Sequence, residues 1–251
     1  MPQGGSDCPA GSPLEQVRLL YTDLANHPEK DFGWRKGREN ARLLGYAGTW
    51  LDRLPDSVWE SAAAVGNPFS LGPVNAGESV IDIGCGAGAD ACIAALMVGG
   101  SGRVIGVDCT AAMVVKAGEN AAVAGLPQAG FLDAEMRQLP LPDGIADVVI
   151  SNGAINLAED KTAVLQEIFR VLRPGGRLQI ADMVRDPGAG DSACRAAPQS
   201  WANCVSGTLD PGAFASMLNS AGFVDVAHAG FTGYRTAPGT IGALFRGVRP
   251  D

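Results

Sequence analysis

Hydrophobic positions along the chain follow two patterns that change over near residue 77. Upstream, Leu14, Val17, Leu20, Tyr21 and Leu24 recur at helical spacing behind Ser12 and Pro13, a candidate N-cap and first-turn proline, so an amphipathic helix is expected over 12–25. Pro55 parts two further short helices, 49–54 and 56–64, and the Gly/Pro/Asn-rich stretch 66–77 reads as a linker. Downstream, short apolar runs at 80–83, 103–108, 129–132, 146–150 and 177–182 alternate with helical stretches at 110–125, capped by Thr110, and 161–172, stopped by Arg173-Pro174-Gly175-Gly176. A helix over 211–221 and strands over 223–227 and 241–248 close the pattern. Strand–helix alternation of this kind requires an α/β, doubly wound, mostly parallel sheet, here of seven strands. Residues 184–209 have no strong period and are long for a connection, so a lid or pocket-forming insertion is expected there.

The stretch Val80-Ile81-Asp82-Ile83-Gly84-Cys85-Gly86-Ala87-Gly88 reads as strand, tight turn and helix start. Alternating glycines permit positive φ and let a ligand press against bare N–H groups, as nucleotide-like ligands do. Asp108 ends the next apolar run about twenty residues on, the distance at which a second parallel strand delivers a carboxylate to ribose hydroxyls. Together these describe an adenosine site. Gly84-x-Gly86-x-x-Ala89 also satisfies the relaxed dinucleotide fingerprint, which keeps a nicotinamide oxidoreductase open. Asp108-Cys109-Thr110 forms a corner facing the ligand, and Asp133-Ala134-Glu135 places an acid where an adenine amino group would lie.

Composition narrows the partners. The formal charge of −8 and pI near 4.8 argue against nucleic acid and anionic membranes, both of which need a basic face, and favour a small-molecule substrate. No basic-then-apolar leader or ~18-residue apolar run is present, so a cytoplasmic protein is expected. The 6 cysteines show no metal-type spacing, and no metal site is expected. Trp34, Trp50 and Trp59 either pin helices to the sheet or, with Trp34 and Tyr46, wall a substrate pocket. Arg35, Lys36, Arg38 and Arg42 read as a solvated helix face, or one of the arginines clamps a substrate carboxylate.

Three features resemble class I S-adenosylmethionine-dependent methyltransferases: the hydrophobic-Asp-x-Gly-x-Gly-x-Gly corner, Asp108, and the Leu172-Arg173-Pro174-Gly175-Gly176 unit, within a similarity over about 65–230. The resemblance implies a Rossmann-like methyltransferase domain over 77–251, behind an N-terminal helical cap over 1–76 on the substrate side, with S-adenosylmethionine as cofactor. It implies cofactor binding by Asp82, Gly84, Cys85, Gly86, Gly88, Asp108, Cys109, Met113, Ala134, Glu135 and Asn152. Catalysis falls to Asn152, Asn156 and Cys204, acting on a small-molecule methyl acceptor. In-line displacement at a sulfonium rests on alignment and desolvation, so no dedicated base is required, and His27 and His228 both lie away from the corner.

Val107-Asp108-Cys109-Thr110, Ser151-Asn152-Gly153-Ala154-Ile155-Asn156-Leu157 and Trp201-Ala202-Asn203-Cys204 look like the arsenite methyltransferase branch. That branch holds trivalent arsenic through three cysteines. Here Gly153 stands at one position, the segment 63–67 has no cysteine at another, and Cys204 remains, with Cys194 as a further thiol. Weak or absent arsenite methylation is therefore expected, with partial gain of arsenite binding on Gly153→Cys. The missing cysteines also fit a catalytically silent S-adenosylmethionine-binding module.

Overall fold

Ser12 caps the first helix, α1 (Pro13–Asn26), its hydroxyl accepting the Glu15 N–H at 3.3 Å. The computed structural model describes residues 12–189 and 207–251. After α1 come α2 (Gly37–Leu43), α3 (Gly48–Arg53) and α4 (Asp56–Glu60). α2 carries Arg38 and Arg42 of the basic cluster read as a helix face, and α4 ends four residues earlier than expected because 61–64 turn to run along a cavity wall. A 3-10 turn, Pro68–Leu71, occupies the expected linker.

The sheet elements follow as β1 (Ser79–Ile83), α5 (Ala89–Val98), β2 (Arg103–Asp108), α6 (Ala111–Ala124), β3 (Ala129–Asp133), β4 (Ala146–Asn152), α7 (Lys161–Val171), β5 (Leu172–Arg185), α8 (Pro211–Ser220), β6 (Val224–Phe231) and β7 (Thr240–Val248). They form one seven-stranded sheet in the order β3-β2-β1-β4-β5-β7-β6. The first five strands are parallel, and β7 pairs antiparallel with both β5 and β6. Order reverses between β1 and β4, and at such a switch point the carboxyl ends of the strands open a crevice.

Three boundaries differ from the sequence reading. Leu172 leaves α7 directly into β5, opposite Ala146, and a register shift absorbs Arg173 to Gly176 before regular pairing with β4 resumes at Arg177. β5 then continues through Met183, Val184 and Arg185, paired with Gly242, Ile241 and Thr240, into the segment assigned to a lid. The rest of that expected lid, over 190–206, lies outside the described residues, together with Cys194, Trp201 and Cys204. β6 runs on to Phe231 because Phe231 still pairs with Ala243.

Strands of a sheet covered on both faces are apolar throughout, and Val80, Ile81 and Ile83 are each at most 1% exposed. One face packs under α7 and α8 through Leu165, Ile168, Leu218 and Phe245. On the other, α5 is apolar all round because it is enclosed, and Leu51, Val58 and Trp59 of the N-terminal helices join the same cluster as Val80 and Val148. The N-terminal helices thus share the sheet's core. No described helix is long and apolar enough to cross a membrane.

Candidate functional site

The turn after β1 is built by its glycines. Gly84, Gly86 and Gly88 take φ of +70°, +52° and +83°. A Cβ on Gly84 would lie 2.1 Å from the Ala154 Cβ, so this position admits no side chain. A Cβ on Gly86 would meet nothing within 4 Å, because the space beside it is the cavity. The Gly84 and Cys85 N–H groups donate to the Val107 carbonyl at 2.8 and 3.0 Å, fastening the turn to β2. Gly88 does not border the cavity: it is the left-handed N-cap of α5, close-packed on Ala117 and Phe131.

Carboxylates at the ends of β1 and β2 face this cavity. Asp108 accepts the Gly86 N–H and the Thr110 N–H, each at 2.9 Å, so it shapes the glycine turn as well as lining the site. Burial raises its pKa, and those two bonds oppose the rise. Asp82, 2% exposed, is pushed well above the usual carboxylate range by burial and then by Asp90 and Asp108 nearby. Cys109, Met113, Ala134 and Glu135 continue the wall, where Glu135 accepts from Arg137 at 2.8 Å and the Cys109 carbonyl accepts from Arg18 Nε of α1 at 3.1 Å. Burial raises the thiols of Cys85 and Cys109 and pushes Cys92 up to about 12, which makes all three poor nucleophiles.

At the other end the cavity runs under the N-terminal helices, past Leu14, Val17, Tyr21, Tyr46, Trp59 and the 61–64 segment. Here a network absent from the sequence pattern joins four segments. The Tyr46 hydroxyl donates to Asp90 Oδ1 at 2.7 Å, and Asn152 Nδ2 donates to Asp90 Oδ2 at 2.8 Å and to the Gly66 carbonyl at 2.9 Å. Asn152 Oδ1 accepts the Val65 N–H at 2.9 Å, which fixes the orientation of the amide. Burial lifts Asp90 to about 6 against the lowering by Asn152 and Tyr46. The one available signal was an acid in the first turn of an otherwise apolar helix, which a buried helix tolerates only with partners.

Other expected site residues lie elsewhere. Asn156 does not border the cavity; its N–H donates to Asp182 Oδ2 at 3.0 Å, inside the turn after β4. Trp34 stands apart, its ring 5.5 Å from Phe32, while Trp59 and Tyr46 do line the cavity. The basic cluster is used structurally: Arg38 donates to the Leu54 carbonyl at 3.1 Å and to Asp56 at 2.6 Å, Lys36 to the Pro28 carbonyl, and Arg42 to Glu39. Arg35 lies 5.4 Å above the Tyr234 ring. Gly153 faces Val65, whose Cγ1 would sit 3.2 Å from an added Cβ, so two of the positions discussed for thiols adjoin each other. With φ of +72° at Gly153, on the cavity wall, a cysteine there is strained.

A family model described as a methyltransferase domain matches residues 74–222. An arsenite methyltransferase of Halobacterium salinarum is 42% identical over 180 residues, 72% of this chain and 46% of that protein. A 27-O-demethylrifamycin SV methyltransferase of Amycolatopsis mediterranei is 34% identical over 148 residues, 55% of this chain and 54% of that protein. The chain thus spans about half the length of these curated relatives. The crystal structure of an arsenic(III) S-adenosylmethionine methyltransferase from Chlamydomonas reinhardtii superposes with a TM-score of 0.63 at 27% identity, over 86% of this chain and 74% of that one.

Proposed function

The chain belongs to the methyltransferase-domain family, and we propose that it transfers a methyl group from S-adenosylmethionine to a small-molecule acceptor with an apolar body. The observation that carries this reading is a single cavity with two unlike ends. The glycine turn, Asp82 and Asp108 face one end, and an apolar chamber under α1 forms the other. The donor fits this wall: Gly86 leaves space where a side chain would stand, and the carboxylates beside it have only neutral donors. When bound, S-adenosylmethionine supplies an electrophilic methyl group on a sulfonium.

The protein's share is placement. Asp108 is the ribose acceptor, Glu135 and Ala134 border the adenine, and Met113 packs beside them, while residues up to 76 act as the substrate-side cap. Tyr21, Leu157 and Ala154 give the acceptor end a dry wall, and exclusion of water favours in-line attack without a dedicated base. The formal charge of −8 supports a small acceptor over nucleic acid, and a cytoplasmic location belongs to the same reading.

Arsenite is the second reading, favoured by the Halobacterium salinarum relative. Val65 and Gly153 count against it, because trivalent arsenic is held by soft thiolates and these two positions offer none. The test is calorimetry with S-adenosylmethionine, S-adenosylhomocysteine and NAD, followed by mass spectrometry of products from a panel of soft nucleophiles that includes arsenite with thiol reductant. Binding of the two adenosyl ligands but not NAD, with organic acceptors methylated and arsenite turned over weakly or not at all, is expected. NAD binding alone would sink the methyltransferase reading, and brisk arsenite turnover would sink the acceptor assignment.

A further inference from the structure

One buried peptide of the glycine turn is supported from outside the strands. Ala87, 3% exposed, borders the cavity between Gly86 and Gly88, which have no Cβ to limit rotation of the chain on either side of it. The first turn of α5 does not serve its carbonyl, because the Ala91 N–H that would reach back to it is taken by Asp82. The Asn120 side chain of α6 fills that place, its Nδ2 donating to the Ala87 carbonyl at 2.9 Å. Asn120 is the odd member of its helix. The other buried residues of α6 are Met113, Ala117, Ala121 and Ala124, all apolar, whereas Asn120 is a polar side chain at 3% exposure. Asparagine is a poor helix former, and a buried amide is costly unless it is bonded. Ala117, one helical turn earlier, packs against Gly88, its Cβ 3.0 Å from where a Cβ would stand, so the same face of α6 meets both residues of the turn.

We propose that Asn120, which does not itself border the cavity, is a positioning residue for the methyl donor. By holding the Ala87 carbonyl it fixes the peptide between the two glycines and keeps the Gly86–Ala87 wall in the shape that the donor meets. Without it the peptide retains one bond, from the Gly88 N–H to the Cys85 carbonyl at 2.9 Å, so the turn loosens while the sheet stays folded. The inference rests on the S-adenosylmethionine reading and adds to it a residue that acts through the turn.

Aspartate at 120 separates positioning from bulk, since it keeps the shape of asparagine and changes the donor with pH. Protonated, it donates to the carbonyl; ionised, it has no donor and sets like charge against the carbonyl oxygen. Burial raises its pKa into the working range. Calorimetry with S-adenosylhomocysteine is run at about pH 5.5 and about pH 8.5 on the unaltered protein, Asn120→Asp and Asn120→Ala. Leu218→Ala, a core change on the other face of the sheet, is the reference for destabilisation alone, and thermal melts confirm that each variant folds. Affinities are compared with the unaltered protein at the same pH, which removes the titration of its own groups, Asp82, Asp90 and Asp108 among them. Asn120→Ala is expected to weaken the ligand about 5- to 10-fold at both pH values. Asn120→Asp weakens it by at least about 10-fold at the higher pH and recovers to within about threefold at the lower. Leu218→Ala lowers the melting temperature and leaves affinity within about twofold. Unchanged affinity in folded Asn120→Ala, a loss in Asn120→Asp that ignores pH, or an equal loss in Leu218→Ala overturns the proposal. Should Asn120→Asp not fold at the higher pH, Asn120→Ala against Leu218→Ala decides alone. An unaltered protein that does not bind S-adenosylhomocysteine overturns the donor reading and this inference with it.

Discussion

The two ends of the cavity are assembled by different means. At the glycine turn, Asp108 is held by main-chain N–H groups two and twenty-two residues away, and the turn itself by the Val107 carbonyl, so position follows from the local path of β1 and β2. Under the cap, Asp90, Tyr46 and Asn152 hold one another by side chains separated by as many as 106 residues. A site set by backbone survives many changes around it but no change of its glycines. One set by side chains tolerates backbone adjustment and fails when any member is deleted.

The comparison is broken most forcefully by adding one methyl group at each end. Gly84→Ala meets Ala154 at 2.1 Å with φ of +70°, and should cost about 3 kcal/mol or more and abolish donor binding. Gly153→Ala, with Val65 at 3.2 Å and φ of +72°, should cost about 1–2 kcal/mol and retain binding. Denaturant unfolding and calorimetry on the pair decide it, and equal losses would show that the two ends are equally rigid. Next in size is Asp108→Ala, expected to weaken S-adenosylmethionine by about 10- to 100-fold, since a charged acceptor and the brace on Gly86 are lost together. Unchanged affinity in a folded variant removes Asp108 from the ribose site.

That asymmetry also explains what was legible in the sequence. Asp82 and Gly84 announce themselves because strand and turn lie within one short motif, and Asp108 because it ends the next apolar run at the spacing of a neighbouring parallel strand. The sheet follows for the same reason, from apolar runs whose burial on both faces leaves no ambiguity of period. Asp90 signals only a need for partners, and their identity is not legible: Tyr46 and Asn152 meet Asp90 only after β4 is laid beside β1 and the helices fold over α5. Asn156 drew attention by its place after β4, yet the chain turns there and its N–H is spent on Asp182. The Leu172 to Gly176 stop was read correctly as the end of a helix, while the pairing of Leu172 with Ala146 depends on a neighbour no local pattern reveals.

Titration sharpens the contrast further. Asp182, 1% exposed, and Asp90 are both lifted by burial to about 6, above the roughly 3.9 of an unfolded aspartate. Between about pH 4 and 6 the folded state therefore holds more protons than the unfolded one, and stability falls as pH rises through that window, by up to about 3 kcal/mol per group. Asp182 does not line the cavity, so saturating S-adenosylhomocysteine should change the part of the slope that Asp90→Asn removes and leave the part that Asp182→Asn removes. Melting curves across pH 4–7, with and without ligand, test this, and a ligand effect confined to the Asp182 part would contradict it. The smallest effect belongs to the cap surface. Arg42→Ala breaks an exposed pair with Glu39, and should shift stability by no more than about 0.5 kcal/mol without altering ligand affinity. A large loss of substrate turnover would restore the arginine as a carboxylate clamp.

The facing of Val65 and Gly153 makes any conversion of this pocket to a thiol-lined one dependent on the order of changes. Placing a side chain at 153 first meets the branched Val65, whereas Val65→Cys first exchanges two methyl groups for one sulfur and opens the space into which a second thiol must fit. The order of the two substitutions thus decides whether the contact with Val65 is met, while the strain of a side chain at 153, with φ of +72°, remains by either route.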